Sequence, residues 1–275
     1  MLENEEYVEQ AFLFNALAAR LESGESLQDL LLQIRDEILA TTKLPMAIDF
    51  ISSELNHVGI MSTAMLKLPH YFNPFQTYLI GQAESDSGRF DLRTALAILE
   101  KDSLGKAERR LPVATFFFQF ESLCRNRLQY DYGLSAMAYD PVFDDRWREW
   151  LLDMRRKIGT VELADLVFIH SEHYAHQQIK KGVRTFEIAE PVLFGEKEGK
   201  IALANRRKDA LFFFSALQRQ LKYPPVPRVQ LVNESADMVP KMARQMERLE
   251  VRIKLLEDEQ RGQGIDLTKY YQPPE

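Results

Sequence analysis

The densest group of side chains that can bind metals lies at residues 170–176, which contain three of the five histidines in the chain. Imidazole and carboxylate groups are ligands for zinc and for iron. On a helix Glu172 and His176 share a face, whereas on a strand His170, Glu172 and His176 do so. No HExxH motif is present, and a polar helix face with His170 packed against the core explains the same pattern. The candidate ligands in this segment are His170, Glu172, His173 and His176.

A second pattern of this kind is Glu54-Leu-Asn-His57, a single Glu-x-x-His motif on a predicted helix. Carboxylate-bridged di-iron bundles combine two such motifs with two further glutamates. Glu121 is a candidate for one further glutamate, but a second Glu-x-x-His motif is missing. A helical, di-iron-like, metal-dependent oxidase is therefore an alternative function, with iron or zinc held by Glu54, His57, Glu121, Glu172 and His176. Outside this alternative no cofactor is predicted.

Other catalytic and nucleotide-binding motifs are incomplete. The segment from Gly195 to Lys200 is one residue too short for a P-loop and lacks the Ser or Thr that follows the lysine. Cys124 lies on the apolar face of a predicted helix, which is typical of an inert buried thiol. Basic clusters lie at 109–110, 125–127 and 206–208, but the phenylalanines beside them have the spacing of core residues. Weak nucleic-acid binding, which would need exposed aromatic side chains, is a second alternative.

The composition is that of a globular protein, with 275 residues of which 45% are hydrophobic and 28% charged. A formal net charge of −6 gives no basic field that would attract nucleic acid or anionic lipid. No apolar run approaches the roughly 20 residues needed to cross a membrane, and the acidic first residues do not resemble a signal peptide. A single cysteine excludes an internal disulfide. We therefore expect a cytoplasmic protein without a membrane partner.

Apolar spacing and capping residues predict a mainly α-helical, bundle-like body over residues 1–222. Ser26, Asn73 and either Asp144 or Asp145 have side chains suited to helix N-caps, and Gly59 has a helix-ending position. The clearest helix follows the two aspartates, because its tryptophans fall on one apolar stripe. The predicted helices cover 5–21, 26–38, 46–57, 75–84, 91–108, 113–128, 130–139, 144–158, 162–180 and 210–221.

An internal similarity links two phenylalanine-rich segments, each with a charged, loop-like lead-in. The residues Glu100, Lys101, Arg110, Ala114 and Phe116–Phe118 recur with the same spacing as Glu196, Lys197, Arg206, Ala210 and Phe212–Phe214. Two explanations stay open: duplicated helical units, at about 12–115 and 116–210, or chance agreement between two core helices. The one segment with a strand pattern, at about 191–204, predicts at most a small β-hairpin.

Residues 223–236 begin with Tyr-Pro-Pro-Val-Pro, which favours extended geometry and predicts a stiff linker. A heptad pattern at 237–261 predicts a coiled-coil helix, and a flexible tail follows at 262–275. Arg252 at position g would face Glu257 at position e of a partner helix. The alternative is a helix that folds back on its own body. The residues assigned to oligomerisation are Val239, Met242, Met246, Leu249, Arg252, Ile253, Leu256 and Glu257.

Together these features predict a non-enzymatic, cytoplasmic interaction or scaffold protein. Its expected partners are a second copy of itself, in a dimer formed through the C-terminal helix, and another protein. The prediction depends on three features of the sequence: incomplete catalytic motifs, a helical body, and a heptad segment set off by a stiff linker.

Overall fold

The structure is a computed structural model that describes residues 1–21, 26–85, 90–181 and 191–229. Met1–Val229 form one compact unit, and Gln230–Glu275 form a second. The predicted coiled-coil helix at 237–261, with all residues assigned to oligomerisation, and the tail at 262–275 lie outside the described residues. The compact unit continues past residue 222, where the predicted helical body ends.

Within the described ranges the chain forms thirteen α-helices and no β-strand, which confirms the prediction of a mainly α-helical body. The first seven are α1 (Asn4–Arg20), α2 (Leu27–Arg35), α3 (Leu44–Val58), α4 (Met61–Leu66), α5 (Pro74–Glu84), α6 (Leu92–Ala107) and α7 (Pro112–Arg125). The others are α8 (Tyr130–Ala138), α9 (Asp145–Lys157), α10 (Leu163–Ile169), α11 (Glu172–Lys180), α12 (Glu196–Asn205) and α13 (Ala210–Leu221). None of these helices has the length and apolar character needed to cross a membrane.

Helix caps confirm most of the predicted helix beginnings. The hydroxyl of Ser26 and the carboxylate of Asp144 accept hydrogen bonds from backbone N–H groups in the first turns of α2 and α9. Asn73 and Gln76 form a reciprocal capping box at the start of α5. Gly59, with a φ of 75°, ends α3 in the left-handed conformation that glycine adopts without steric cost. These signals are local, so the sequence alone locates them.

The single helix predicted over 162–180 is wrong, because the segment forms α10 and α11 with a break at His170 and Ser171. The break pairs with an extended segment that ends at Phe194. The Phe194 carbonyl accepts a hydrogen bond of 2.9 Å from the Glu172 N–H, and the Phe194 N–H donates to the His170 carbonyl at 3.2 Å. These bonds occupy backbone groups that a continuous helix would use. A contact distant in the sequence therefore divides the helix.

The segment at about 191–204, for which the sequence predicted at most a small β-hairpin, forms no hairpin, and Glu196–Asn205 is α12. Within this segment Phe194 forms a single β-bridge, with Ser171. The apolar run Ile201–Leu203 belongs to α12, and its Ala202 is fully buried. Gly199 packs so closely on Ser171 that a Cβ atom there would collide with the serine hydroxyl. This close contact, which an alternating sequence pattern does not reveal, holds α12 against α11.

The aromatic core is centred on α7. Phe116 is fully buried, and its ring centroid lies 5.6 Å from Trp147, 5.2 Å from Trp150 and 5.9 Å from Phe194. Phe117 makes an edge contact with Phe213 of α13 at 5.9 Å. Edge and tilted contacts of this kind stabilise aromatic pairs beyond the area that they bury. Trp147 and Trp150 of α9 therefore lie in the core, which confirms the burial that their spacing predicted.

The two similar segments form two helix pairs, α6–α7 and α12–α13, and α7 packs against α13. Their charged lead-ins are helical, so the loop-like lead-in expected from the sequence is wrong. A basic residue with positive φ lies in each turn: Arg109 at 54° between α6 and α7, and Arg207 at 59° between α12 and α13. Arg127 and Lys222 have positive φ after α7 and α13. Glycine usually occupies such positions, whereas a positive charge there complements the helix dipole.

Tyr223–Val229, the first part of the predicted linker, packs on the helical body. Tyr223 is buried, and its hydroxyl donates hydrogen bonds to the Glu121 carboxylate at 2.6 Å and to the Phe214 carbonyl at 3.3 Å. Further along the segment, Asn126 donates to the Pro227 carbonyl at 3.1 Å and accepts from the Val229 N–H at 3.2 Å. The segment has no regular secondary structure, and side chains of α7 and the turn after it hold it in place.

Candidate functional site

The histidine-rich segment forms a polar contact between α11 and α12. The carboxylate of Glu196 lies 2.8 Å from His173 Nδ1 and 3.1 Å from His176 Nδ1. Because carboxylate oxygens only accept hydrogen bonds, each imidazole donates from Nδ1. Glu172 accepts a hydrogen bond of 3.2 Å from the Glu196 N–H, and Lys200 adds an ion pair at 3.1 Å. The structure thus brings together His173, His176 and Glu172 around a residue that the sequence did not single out.

His170 lies apart from this contact. It is buried, its ring centroid is 5.9 Å from that of Trp150, and its Nδ1 is 2.9 Å from the Pro191 carbonyl oxygen. Burial lowers the pKa of His170 below its usual value, which keeps the imidazole neutral. His170 is therefore packed against the core, which is the alternative to a metal ligand that the sequence pattern left open.

The other candidate metal ligands have separate partners. Glu54 forms an ion pair with Lys67, while His57 is exposed near the end of α3. Glu121 is buried between Arg125, with which it forms an ion pair, and the Tyr223 hydroxyl. In the described part of the chain no three His, Cys, Asp or Glu side chains are arranged to hold a metal ion.

Acid is expected to weaken the contact between α11 and α12. Hydrogen bonds from His173 and Lys200 lower the pKa of Glu196 to about 2; desolvation opposes them, and the hydrogen bond from His176 adds to the lowering. A carboxyl group with a depressed pKa stabilises the fold above its usual pKa of 4.5 and loses this contribution as the pH falls towards 2. Thermal unfolding at about pH 5 and about pH 3 should show a smaller drop in Tm for Glu196→Gln than for the parent.

The matched control for this measurement is Glu149→Gln, which removes an exposed carboxylate on α9. Its drop in Tm between the two pH values should equal that of the parent chain. If Glu196→Gln behaves like Glu149→Gln, the contact with the histidines does not contribute to stability in this pH range.

Two residues of the basic clusters, Arg125 and Arg206, are engaged with groups of the same chain. Arg125 pairs with Glu121, and Arg206 pairs with Asp165 while its guanidinium carbon lies 5.6 Å from the centroid of the Phe168 ring. The phenylalanines of both segments are buried, with the exception of Phe212, which is 66% exposed. The stripe of basic groups and exposed aromatic rings that nucleic-acid binding would use is therefore not assembled from these residues.

A buried cluster of charged groups joins α6, α7 and the turn between α8 and α9. Lys106 Nζ lies 2.5 Å from an oxygen of Asp102 and 2.7 Å from an oxygen of Asp140, and these three side chains are at most 1% exposed. The side-chain amide of Gln119 donates to Asp102 at 3.0 Å and to Asp140 at 2.9 Å. The ammonium and the amide NH2 group thus supply hydrogen bonds to both carboxylates in the core, as buried charges require, while the Gln119 side-chain oxygen is buried without a partner.

Lys106 remains protonated in this cluster. Burial alone would lower its pKa, but the charges of Asp102 and Asp140 and their hydrogen bonds outweigh burial and raise the pKa above the usual value. An ammonium group of this kind cannot act as a nucleophile or a general base near neutral pH. The cluster is therefore a structural element, and Lys106 also serves as a hydrogen-bond donor to its surroundings.

A cavity of about 660 Å³ lies next to this cluster, between the first residues of the chain and the turn that joins α6 to α7. Its polar lining comes from the start of α1, the end of α6 and the turn after it: Glu3, Asn4, Tyr7, Lys106, Arg109 and Arg110. Its apolar lining includes Leu2, Pro112 and Val142. Ligand-binding cavities usually have volumes of about 300–1,000 Å³ and combine an apolar wall with a few convergent polar groups. This cavity has both properties.

The sequence contained only a partial signal for the cluster and the cavity. Asp102 and Lys106 have the i, i+4 spacing of a helix-surface ion pair, which gives no sign of burial. Asp140 and Gln119 belong to no motif in the sequence, so nothing local indicates that they meet Lys106.

Comparisons of the chain with protein-family models, with curated proteins and with solved structures find no match. The buried lysine cluster, the histidine contact and the cavity are therefore interpreted from their own chemistry.

Proposed function

We propose that this chain is a cytoplasmic interaction or scaffold protein that self-associates through residues 237–261 and carries a folded helical body. The observation that carries the proposal is the attachment of Tyr223–Val229 to that body. This segment is tied down by hydrogen bonds to Glu121 and Asn126 and by a hydrogen bond of 2.9 Å from Lys101 to the Pro225 carbonyl. The compact unit thus ends at a fixed point, Val229, ahead of the heptad segment.

The heptad pattern supports self-association of the segment that follows. Position a is occupied by Val239, Met246 and Ile253, and position d by Met242, Leu249 and Leu256. β-Branched residues at a with leucine at d favour parallel dimers. Arg252 at g and Glu257 at e add a charge pair between helices in that arrangement. Because three heptads are marginally stable as an isolated helix, pairing with a second copy would supply the missing stability.

Two aspartates at the predicted helix interface should abolish self-association. The variant Leu249→Asp with Ile253→Asp places charges where apolar side chains would otherwise be buried against the partner, at a cost of several kcal/mol. We expect the parent chain to have twice the chain mass of 32.0 kDa and the variant to have the mass of one chain. Light scattering coupled to size-exclusion chromatography measures both masses.

The same helix provides a matched control. Val251 and Leu255 fall at positions f and c of the heptad, outside the predicted interface. Val251→Asp with Leu255→Asp changes the charge by the same amount and should leave the dimer intact. A parent chain of monomer mass, or equal masses for the parent and the interface variant, would remove self-association from the proposal.

The oxidase and nucleic-acid alternatives are not proposed. Glu54 and Glu121, two of the five oxidase candidates, have Lys67 and Arg125 as their partners and do not join the histidines. The basic residues Arg125 and Arg206 are engaged with carboxylates of the same chain.

A further inference from the structure

Arg110 is a half-buried cation in the wall of the cavity between the start of α1 and the α6–α7 turn. Its guanidinium carbon lies 5.5 Å from the centroid of the Phe118 ring, and one nitrogen donates to the Lys101 carbonyl at 3.4 Å. Gly105 makes room for the group, because a Cβ atom there would collide with the guanidinium. In the described part of the chain no carboxylate forms an ion pair with Arg110, and its Nη1 atom is buried without a hydrogen-bond partner. The guanidinium charge is thus not neutralised by an ion pair within the described residues, and an anion in the cavity would supply its counter-charge.

Three further groups direct hydrogen-bond donors to the same cavity. Arg109 is exposed, and its positive φ of 54° places an arginine in the turn where glycine would be less strained. The buried Tyr7 hydroxyl accepts a hydrogen bond of 3.2 Å from the Leu2 N–H, which leaves its own hydrogen free to donate. Lys106 uses two of its three N–H groups for Asp102 and Asp140. The polar lining is therefore rich in donors and suits an acceptor.

The rest of the lining is apolar. Leu2, Pro112 and Val142 form part of the wall, so that a ligand must carry a hydrocarbon portion beside its acceptor group. A volume of about 660 Å³ holds a small organic molecule and is too narrow for a folded partner.

We propose that this cavity binds a small organic carboxylate, with the carboxylate group at Arg109 and Arg110 and the hydrocarbon portion against Pro112 and Val142. Arginine guanidinium groups match carboxylate oxygens in geometry and form strong charge-assisted hydrogen bonds with them. The Tyr7 hydroxyl is a further donor in the same cavity. The proposal is independent of self-association, because every residue that it uses belongs to the compact unit Met1–Val229.

The charges around the cavity favour a singly charged ligand over a phosphate ester. Lys106, Arg109, Arg110 and the Met1 amino group are opposed by Glu3 in the lining and by the two aspartates that hold Lys106. These charges sum to one positive charge, which a single carboxylate neutralises. A second negative charge on the ligand would exceed this balance and meet the field of the carboxylates.

Titration of the full-length chain with hexanoate and with benzoate tests the proposal. We expect saturable calorimetric isotherms with dissociation constants of about 1 mM or lower, and no binding of the neutral analogues hexanamide and benzamide. Arg109→Gly should weaken binding at least about tenfold, since it removes one charge-assisted hydrogen bond while the backbone conformation suits glycine. Val142→Glu should weaken binding to a similar degree, because it adds a like charge to the wall.

Arg207→Gly is the matched control, because Arg207 has the same positive φ in the α12–α13 turn and does not line the cavity. It should bind both carboxylates as tightly as the parent chain. The absence of saturation for both carboxylates up to about 10 mM would overturn the proposal. Equal affinity of the Arg109→Gly and Arg207→Gly variants would overturn the assigned site. Tighter binding of phenyl phosphate than of benzoate would overturn the carboxylate class.

Discussion

Replacement of Lys106 with methionine is expected to lower the free energy of unfolding by about 3–5 kcal/mol. The substitution leaves Asp102 and Asp140 in the core without the ammonium that lies 2.5 Å and 2.7 Å from their oxygens. An uncompensated buried charge is far more costly than the net stability that a buried ion pair supplies. Urea denaturation of the parent and the variant, followed by circular dichroism at neutral pH, measures the difference.

Asp153 and Lys157 on α9 form an ion pair with the same i, i+4 spacing as Asp102 and Lys106, but on the surface. Lys157→Met should therefore change the free energy of unfolding by no more than about 0.5 kcal/mol. Adding Asp102→Asn and Asp140→Asn to Lys106→Met should recover most of the lost stability, because the remaining groups are then uncharged. Equal effects of Lys106→Met and Lys157→Met would contradict the buried position of the cluster.

The contribution of Lys106 should not depend on pH in the neutral range. Its pKa is raised in the folded chain, so its contribution is complete below the unfolded value of about 10.4 and is lost only as the pH rises through the folded value. The difference between the parent and the triple variant Lys106→Met, Asp102→Asn, Asp140→Asn should therefore be the same at about pH 7 and about pH 8.

Phe116→Ala should lower the free energy of unfolding by about 3–5 kcal/mol. The Phe116 ring is fully buried and contacts Trp147, Trp150 and Phe194, so its removal leaves a cavity between rigid aromatic rings that cannot close it. Denaturant unfolding of the purified variant measures the loss, and an increase in the exposure of tryptophan to solvent, seen by fluorescence, would locate it.

The internal similarity supplies the control for this substitution. Phe212 corresponds to Phe116 in the aligned segments, but its side chain is 66% exposed. Phe212→Ala should change the free energy of unfolding by no more than about 0.5 kcal/mol. Comparable losses for both variants would contradict the different placements of the two phenylalanine triplets.

Those placements show why the similarity did not predict equivalent packing. Phe116, Phe117 and Phe118 are spaced about 100° apart around the axis of α7, and all three are buried, so α7 is enclosed at its triplet. α13 buries Phe213 and Phe214 but leaves Phe212 66% exposed. The same three residue types therefore pack differently, because α7 lies within the core and α13 has a side that faces solvent.

Helix positions could be predicted from the sequence wherever a local signal defined them. Ser26, Asn73 and Asp144 cap their helices through groups no more than three residues away, and Gly59 ends α3 through its own backbone. The break at Ser171 could not be predicted in this way, because it depends on hydrogen bonds with Phe194. Burial and long-range pairing are properties of the assembled chain.

The candidate sites likewise combine residues that a local pattern grouped with residues that only the folding of the chain brings near. The sequence grouped His173 and His176, and the structure keeps them together, but the residue that joins them, Glu196, comes from another helix. The cavity depends on the turn after α6 meeting the first residues of the chain, which no motif encodes. Lys106 and Asp140 are brought together by the packing of α6 against the α8–α9 turn.

The mutual dependence of Asp102, Lys106, Asp140 and Gln119 has an evolutionary consequence. The two carboxylates are tolerated in the core only because Lys106 is present, so replacement of Lys106 alone creates a defect that a surface mutation cannot repair. Mutation at these positions is consequently not independent: a lineage that loses Lys106 before the aspartates passes through a poorly folded intermediate. Related chains should therefore show coordinated change at 102, 106 and 140, even though 140 is far from the others in the sequence.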